Sequence, residues 1–504
     1  MERLAFRRAA HRKDEEMASS DDTIRIAMQR FGHGAKPESR AHLGKDLRGV
    51  LLADVDPAKV RITQSDLPST ARGIQLVAEV EERRREARAA ARTNANTPPS
   101  SPNSPMAAPP ATMVENSASP VPPRTPVLPP DPGDVRLRDV MLAEAKARIE
   151  LGIAAETGFG ERWVDFWSNH FCVALRRGQI LQGVIGAYER EAIRAHAFGK
   201  FSDMLLAVEM HPAMLHYLDQ RQSIGPASPA GVRQKKGLNE NLAREIMELH
   251  TLGVGGGYTQ ADVTNFAKVL TGWSISNNEE NLDGYGGFFF APNRHEPGPQ
   301  IILGKTYTQE GKDQGLAVLR DLAGHPSTAK FVARKLARHF VADNPPPALV
   351  EKLQQDFRKT GGDLASLART LVTAGEAWTV PQTKLRTPYE FVMAALRATG
   401  EKPEKVPQIL NALNLMGQQL WNPPGPNGHP DHEAELIAPK AIKTRLEFSL
   451  QAARLIGSRI DPRELADQLY GAALGPETKQ AIARAETRPQ GMAILLMSPE
   501  FQRR

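Results

Sequence analysis

Between Pro98 and Pro132 the chain carries thirteen of its 39 prolines, interleaved with Ser, Ala and Thr. Proline locks φ and donates no backbone N–H, and the apolar content is too low for burial to offset the entropy of ordering. Residues 98–132 are therefore expected as a disordered linker or surface loop, with polyproline II character at most. The stretch separates an N-terminal helical part, residues 22–97, expected to pack on the body, from a main helical domain, residues 133–504. Residues 1–21 are charged and unpatterned, and are expected as a disordered tail, with Met17 an alternative start.

Length and composition narrow the classes. A chain of 504 residues accommodates roughly two to four domains, or one large helical one. The net charge of +6 is small for this length and does not by itself imply a nucleic-acid partner. Lys330, Arg334 and Arg338 share a helical face, but no aromatics are interleaved as a single-strand-binding surface requires, so nucleic acid is rejected as the main partner. The single cysteine, Cys172, excludes an intrachain disulfide framework and a Cys-cluster metal site. No apolar run is long enough for a membrane span. The twin arginine Arg7-Arg8 is followed by Ala9-Ala10-His11-Arg12-Lys13 rather than an apolar stretch, so a cytoplasmic location is expected.

Helical patterning dominates. Ala71–Arg92 reads as a helix. Trp163, Phe166, Trp167 and His170 recur on one helical face with Phe171. Thr387-Pro388-Tyr389-Glu390 is a capping box with proline at the first helical position, Asp461-Pro462-Arg463-Glu464 repeats the design, and Thr259-Gln260-Ala261-Asp262 starts a third helix. Only Phe288–Phe290 and Ile301–Leu303 read as strands, and they are expected to pair as one small hairpin. The expected class is all-α, with that hairpin near residues 286–304.

Two phosphate-binding look-alikes fail. Gly298–Thr306 has five residues between its glycines where a P-loop needs four, and no helix follows. Gly253-Val254-Gly255 follows a helix rather than a strand, and Tyr258 occupies the third glycine position. No HExxH zinc motif and no serine-nucleophile elbow is present.

The densest candidate is Leu238–Trp273. Asn239 is placed to cap a helix that stops at Gly253. Within it Asn241, Arg244, Glu245 and Glu248 form one polar stripe, Leu242, Ile246 and Leu249 an apolar one, and His250 lies on the shoulder beyond. The stripe reads either as a solvated face with an Arg244–Glu248 pair, or as a cleft lining where two carboxylates beside an arginine divide acid and base roles. From Glu245 to His250 the helix turns too far for a metal site of its own, and no metal ligands are assigned. His170, beside Asn169, reads as a core histidine or a catalyst. His295 stands with Glu296 in a loop, where function and solvated turn compete evenly.

At these residues the sequence resembles a bacterial family known only as domain of unknown function 1800. The resemblance rests on Arg30-Phe31-Gly32, WVDFWSNHF (163–171), EREAIR (189–194), HPAMLHYLD (211–219), NENLAREIMELHTLG (239–253), YTQADV (258–263), LTGW (270–273) and KLRTPYEF (384–391). It implies a largely helical protein, some relatives with export signals, and frequent encoding beside a family that resembles alkaline phosphatases and sulfatases. It supplies no activity, cofactor or catalytic residue. His429 stands after Pro426-Asn427-Gly428, where the family pattern usually has tryptophan, although Trp421 is nearby.

Two functions follow as expectations. One is a binding or accessory protein acting with a phosphatase- or sulfatase-like partner. The other is a hydrolase or lyase drawing acid–base groups from His170, Glu245, Glu248, His250 and His295, with Asn169, Asn239, Asn241, Arg244 and Trp273 as binding residues. Because the resemblance is strongest through helix 239–252 and both its ends are fixed, the polar stripe is expected to face a cleft.

Overall fold

Proline opens helix after helix in this chain. Pro326–Phe340, Pro347–Thr360, Pro388–Thr399, Pro439–Ile456, Pro462–Tyr470 and Pro476–Ala483 all begin on one. At that position the missing N–H has no intrahelical partner to lose, and the fixed φ suits the first turn. The computed structural model describes residues 20–43, 46–95, 132–234, 237–276, 285–402 and 405–504. The expectations for the N-terminal tail and the proline-rich segment lie outside these residues, except for residues 20, 21 and 132, which are helical. Of the described residues 65% are helical, against four strands of three residues each, so the all-α class holds.

Eight helices matter here: α1 (Thr70–Ala95), α2 (Pro132–Ala154), α3 (Phe159–His170), α4 (Gln179–Tyr188), α5 (Pro326–Phe340), α6 (Pro388–Thr399), α7 (Pro439–Ile456) and α8 (Arg488–Met497). The aromatic stripe of α3 is the centre of the core. Trp163 and Trp167 are fully buried, their rings 6.0 Å apart, and Trp163 lies 6.0 Å from Phe340 of α5. The buried indole N–H of Trp163 donates to the Ala197 carbonyl at 2.8 Å, which removes the penalty of an unpaired donor.

Residues before α1 join the same core. Met28 and Phe31 are fully buried, Phe31 lies 5.0 Å from the Trp378 ring, and Arg30 donates to the Ala377 and Val380 carbonyls at 2.8 and 2.7 Å. Helix α1 crosses α4 backbone to backbone. A Cβ on Gly73 would sit 2.2 Å from the Gly183 carbonyl oxygen, so glycine is required there. The helices on either side of the proline-rich stretch pack on each other through Leu76, Val77, Val80 and Leu137. An Arg136–Glu79 pair at 2.8 Å closes the contact.

The expected single hairpin is corrected. Phe288–Phe290 (β2) pairs antiparallel with Trp273–Ile275 (β1), while Gln300–Ile302 (β3) pairs with Lys305–Tyr307 (β4). The turn of the second ladder is Leu303-Gly304, both at positive φ (49° and 75°), the arrangement a two-residue hairpin requires. Leucine at the first turn position carries no turn signal, which is why β4 was not legible.

Three π-helical turns occur among the described residues: Ala27–Phe31, Glu189–Ile193 and Ile246–His250. The last two lie within stretches that carry the family resemblance, and the first overlaps one at Arg30 and Phe31. A π turn inserts a residue into the helical ladder and re-aims the side chains around it.

Candidate functional site

Helix α3 has two faces. Opposite the buried aromatic stripe, Asp165, Ser168 and Asn169 fall at offsets of three and four and line a cleft. Its other walls come from Arg148 of α2, Glu189 at the start of a π turn, Tyr389 and Glu390 in the first turn of α6, and Trp421, His429 and Asp431 from the loop before α7. The cavity volume is about 80 Å³, room for roughly half a dozen water-sized groups.

Arg148 is the hub. One terminal nitrogen contacts Glu189 and the other Asp165, and its Nε donates to the Tyr389 hydroxyl at 3.2 Å. The guanidinium lies 5.0 Å from the Tyr389 ring and 5.8 Å from the Trp421 ring, within cation–π range of both. Asp165 is shared with His33, whose Nε2 stands 2.8 Å from Oδ2. Glu189 also accepts from Arg194 Nε and from the Trp421 indole N–H, both at 2.9 Å, and from Ser168 at 3.3 Å. Arg194 in turn grips both oxygens of Glu161, at 2.6 and 2.9 Å. Trp421 holds φ at +53°, an uncommon conformation for a bulky residue, and strain of this kind clusters at functional sites.

At the opposite rim Glu390 accepts from Arg162 at 3.1 Å and meets Arg504 at 2.7 Å. Asp431 lies 3.4 Å from His339 and 3.6 Å from Lys384. Asn169 clamps the backbone of His429 from both sides, accepting from its N–H at 2.7 Å and donating to its carbonyl at 3.0 Å. The loop is thereby pinned to α3.

The electrostatics push titration away from neutrality. Burial alone would raise Asp165, but Arg148 and then His33 hold it below its ordinary value. Burial opposes Glu390 and Asp431 likewise, and Arg504 with Arg162 lowers the first while His339 with Lys384 lowers the second. Burial brings His339 and His429 each down to about 4 and pushes Cys172 and Tyr389 each up to about 12.

Of the residues singled out in the sequence, Asn169 lines this cleft. His170 and His250 meet in a different, buried chain. His170 accepts from Lys335 Nζ at 2.9 Å on Nδ1 and donates from Nε2 to the His250 carbonyl at 3.1 Å. His250 Nδ1 reaches Glu209, fully buried, at 2.8 Å. Burial, then the nearby Lys335 charge, holds His170 well below its ordinary value, and burial lowers Lys335 to about 8.

The polar stripe does not line the cleft. Asn241 is exposed, and Arg244, Glu245 and Glu248 are half-buried. Arg244 pairs with Glu240 at 2.9 Å and with Gln260, so the Arg244–Glu248 pair of the solvated-face alternative does not form. The π turn at Ile246–His250 breaks the offsets on which the stripe was drawn. Burial raises Glu245 above its ordinary value. Asn239 accepts from the Asn241 N–H at 2.9 Å and donates to the Leu218 and Asp219 carbonyls, fixing the helix start. His295 is held by the Thr271 carbonyl at 3.0 Å and the Phe290 ring at 5.3 Å. Trp273 is buried against Phe288, at 5.2 Å. None of these touches the cleft.

Sequence reasoning passed over Arg148, Asp165 and Glu189, read Tyr389 only as part of a helix cap, and noted Trp421 only as lying near His429. Asp165, Glu189 and Tyr389 lie inside the resembling stretches WVDFWSNHF, EREAIR and KLRTPYEF, and the i, i+3, i+4 polar set opposite the tryptophans was the available signal. Arg148 sits in an unremarked helix and carried none.

Fold and cleft together define a helical protein with a small polar site walled by arginine–carboxylate pairs. The sequence pattern of the family described as "Protein of unknown function (DUF1800)" matches residues 26–503, and the chain belongs to that family. No curated protein and no solved structure matches it. Among the described residues no cluster of three or more His, Cys, Asp or Glu is placed to hold a metal ion, and no helix is long and apolar enough to cross a membrane.

Proposed function

We propose that the protein is a binding or accessory protein whose ligand site is the Arg148 cleft, taking a small, polar, uncharged molecule of about six non-hydrogen atoms. The observation that carries this reading is commitment: Asp165, Glu189 and Glu390 each already engage an arginine. A general acid or base works best with a pKa near the operating pH, and the cleft groups with resolved shifts stand well to either side of neutrality. The charges are also nearly balanced. Around Arg148, Arg194, Arg162, Arg504 and Lys384 stand six carboxylates, those of Asp165, Glu189, Glu161, Glu390, Asp431 and Asp343. A strongly charged ligand would gain little there. Trp421 and Tyr389 line the cleft, and backbone and side-chain amides offer directional hydrogen bonds.

The partner in this reading is a phosphatase- or sulfatase-like protein, and its support is the family resemblance. The hydrolase or lyase alternative has against it that His170, Glu245, Glu248, His250 and His295 share no cleft. Calorimetric titration with glycerol and erythritol, against phosphate and putrescine, tests the ligand class. Saturable heat from a polyol that Trp421→Ala abolishes is expected. Preferential binding of phosphate or putrescine sinks the proposed class.

A further inference from the structure

Helix α5 carries Lys330, Arg334, Lys335 and Arg338 and no carboxylate. Lys335 is committed to His170. Lys330 and Arg334, four residues apart and so on one face, line a groove of about 600 Å³. Its facing wall is the helix Pro347–Thr360, where Glu351, Gln354, Gln355 and Arg358 share one face at offsets of three, four and seven. The two helices pack on each other and are joined only by residues 341–346, so the chain doubles back. Lys330 and Arg358 therefore stand at the same end of the groove, with Arg334 about 6 Å further along it.

All three cations are exposed, and none makes an ion pair among the described residues. The one carboxylate that lines the groove, Glu351, accepts from Gln355 at 3.0 Å and lies two helical turns from Arg358, about 10 Å along the axis. The groove thus has a net of two positive charges, gathered at one end. The Arg148 cleft is the reverse case, because its carboxylates already engage arginines.

Size and lining select the ligand. The volume falls in the range of small-molecule sites. No aromatic side chain lines the groove, so it lacks the stacking platform of a single-strand nucleic-acid surface. Three cations within about one helical turn suit one compact dianion better than a charged polymer, and the two guanidinium forks match phosphate oxygens. Beyond them Gln354 and Asn344 supply amides for a neutral, hydroxyl-bearing remainder.

We propose that the groove between α5 and Pro347–Thr360 is a second ligand site, which takes the phosphate monoester of a neutral polyhydroxy compound. Lys330, Arg334 and Arg358 hold the dianionic phosphate, and Gln354 and Asn344 the neutral part. The site shares no residue with the Arg148 cleft and goes beyond the reading of that cleft.

Calorimetric titration of the full chain with inositol monophosphate, against inositol and inorganic phosphate, tests it. Saturable binding of the ester is expected, at least about tenfold tighter than that of inorganic phosphate. Lys330→Glu/Arg358→Glu should weaken it at least about tenfold with the melting temperature unchanged, because both side chains are exposed. The milder Lys330→Gln/Arg358→Gln should weaken it in the same direction, as should raising salt from about 50 to about 300 mM. Ester binding that the charge reversal leaves intact overturns the proposal, as does no saturable binding of the ester or equal binding of inorganic phosphate. A single-stranded oligonucleotide that displaces the ester at lower concentration overturns it too. Heat or an adduct removed by Lys330→Glu/Arg358→Glu and kept by Trp421→Ala belongs to the groove, and the opposite pattern belongs to the Arg148 cleft, so the two readings stand or fall separately.

Discussion

Arg148 and Glu189 are joined in the interior, with 5% and 4% of their side chains exposed, and the same guanidinium also holds Asp165. Buried carboxylates that lose their counter-charge are costly. Replacing Arg148 with methionine, which keeps the stem and removes the charge, should lower unfolding free energy by about 3–5 kcal/mol in urea. Adding Asp165→Asn should recover part of that loss. A loss under about 1 kcal/mol would mean that the network contributes no more than a surface pair.

The half-exposed pair Arg244–Glu240 makes the contrasting prediction. Arg244 retains 38% and Glu240 30% of side-chain exposure, so solvent screens the pair. Arg244→Ala should cost less than about 1 kcal/mol. A cost of about 3 kcal/mol or more would put the helix back in a cleft.

How much of this was legible in the sequence depends on local signals. Capping at Thr387 and Glu390, capping at Thr259 and Asp262, and the proline starts are written in neighbouring residues, and all of them form. The cleft is not local. Arg148 meets Glu189 across 41 residues and Tyr389 across 241, and no periodicity encodes such a meeting. The π turn at Ile246–His250 misled in another way, because a 3.6-residue repeat was applied where the backbone departs from it.

Acid should destabilise the fold before its carboxylates protonate. His339 falls from 6.5 to about 4 through burial, so between those values the unfolded chain binds a proton that the folded chain does not. Stability contributed by the neutral ring is complete above pH 6.5, declines as pH falls, and is lost below about 4. The full term for His339 is about 3 kcal/mol, and His170, His196, His211, His216 and His429, each lowered chiefly by burial, act in the same direction. Depressed Asp165 and Asp431 extend the loss below about pH 4. Melting temperature recorded from pH 7 to 4 should fall, and His339→Gln should make that fall shallower without abolishing it. A flat wild-type profile over that range would contradict the buried neutral histidine.

Composition predicts that residues 98–131 contribute little to stability. Their deletion should shift the melting temperature by less than about 5 °C, and a larger drop would mean that the segment packs on the body.

The central claim is that the Arg148 cleft holds a small polar ligand beside Trp421, and native mass spectrometry of the full chain purified under mild conditions tests it most directly. The account predicts a non-covalent adduct on the unmodified protein, retained by Arg244→Ala and absent from Trp421→Ala. An adduct that survives Trp421→Ala, or unmodified protein that carries none and gains none when glycerol or erythritol is added, would contradict it.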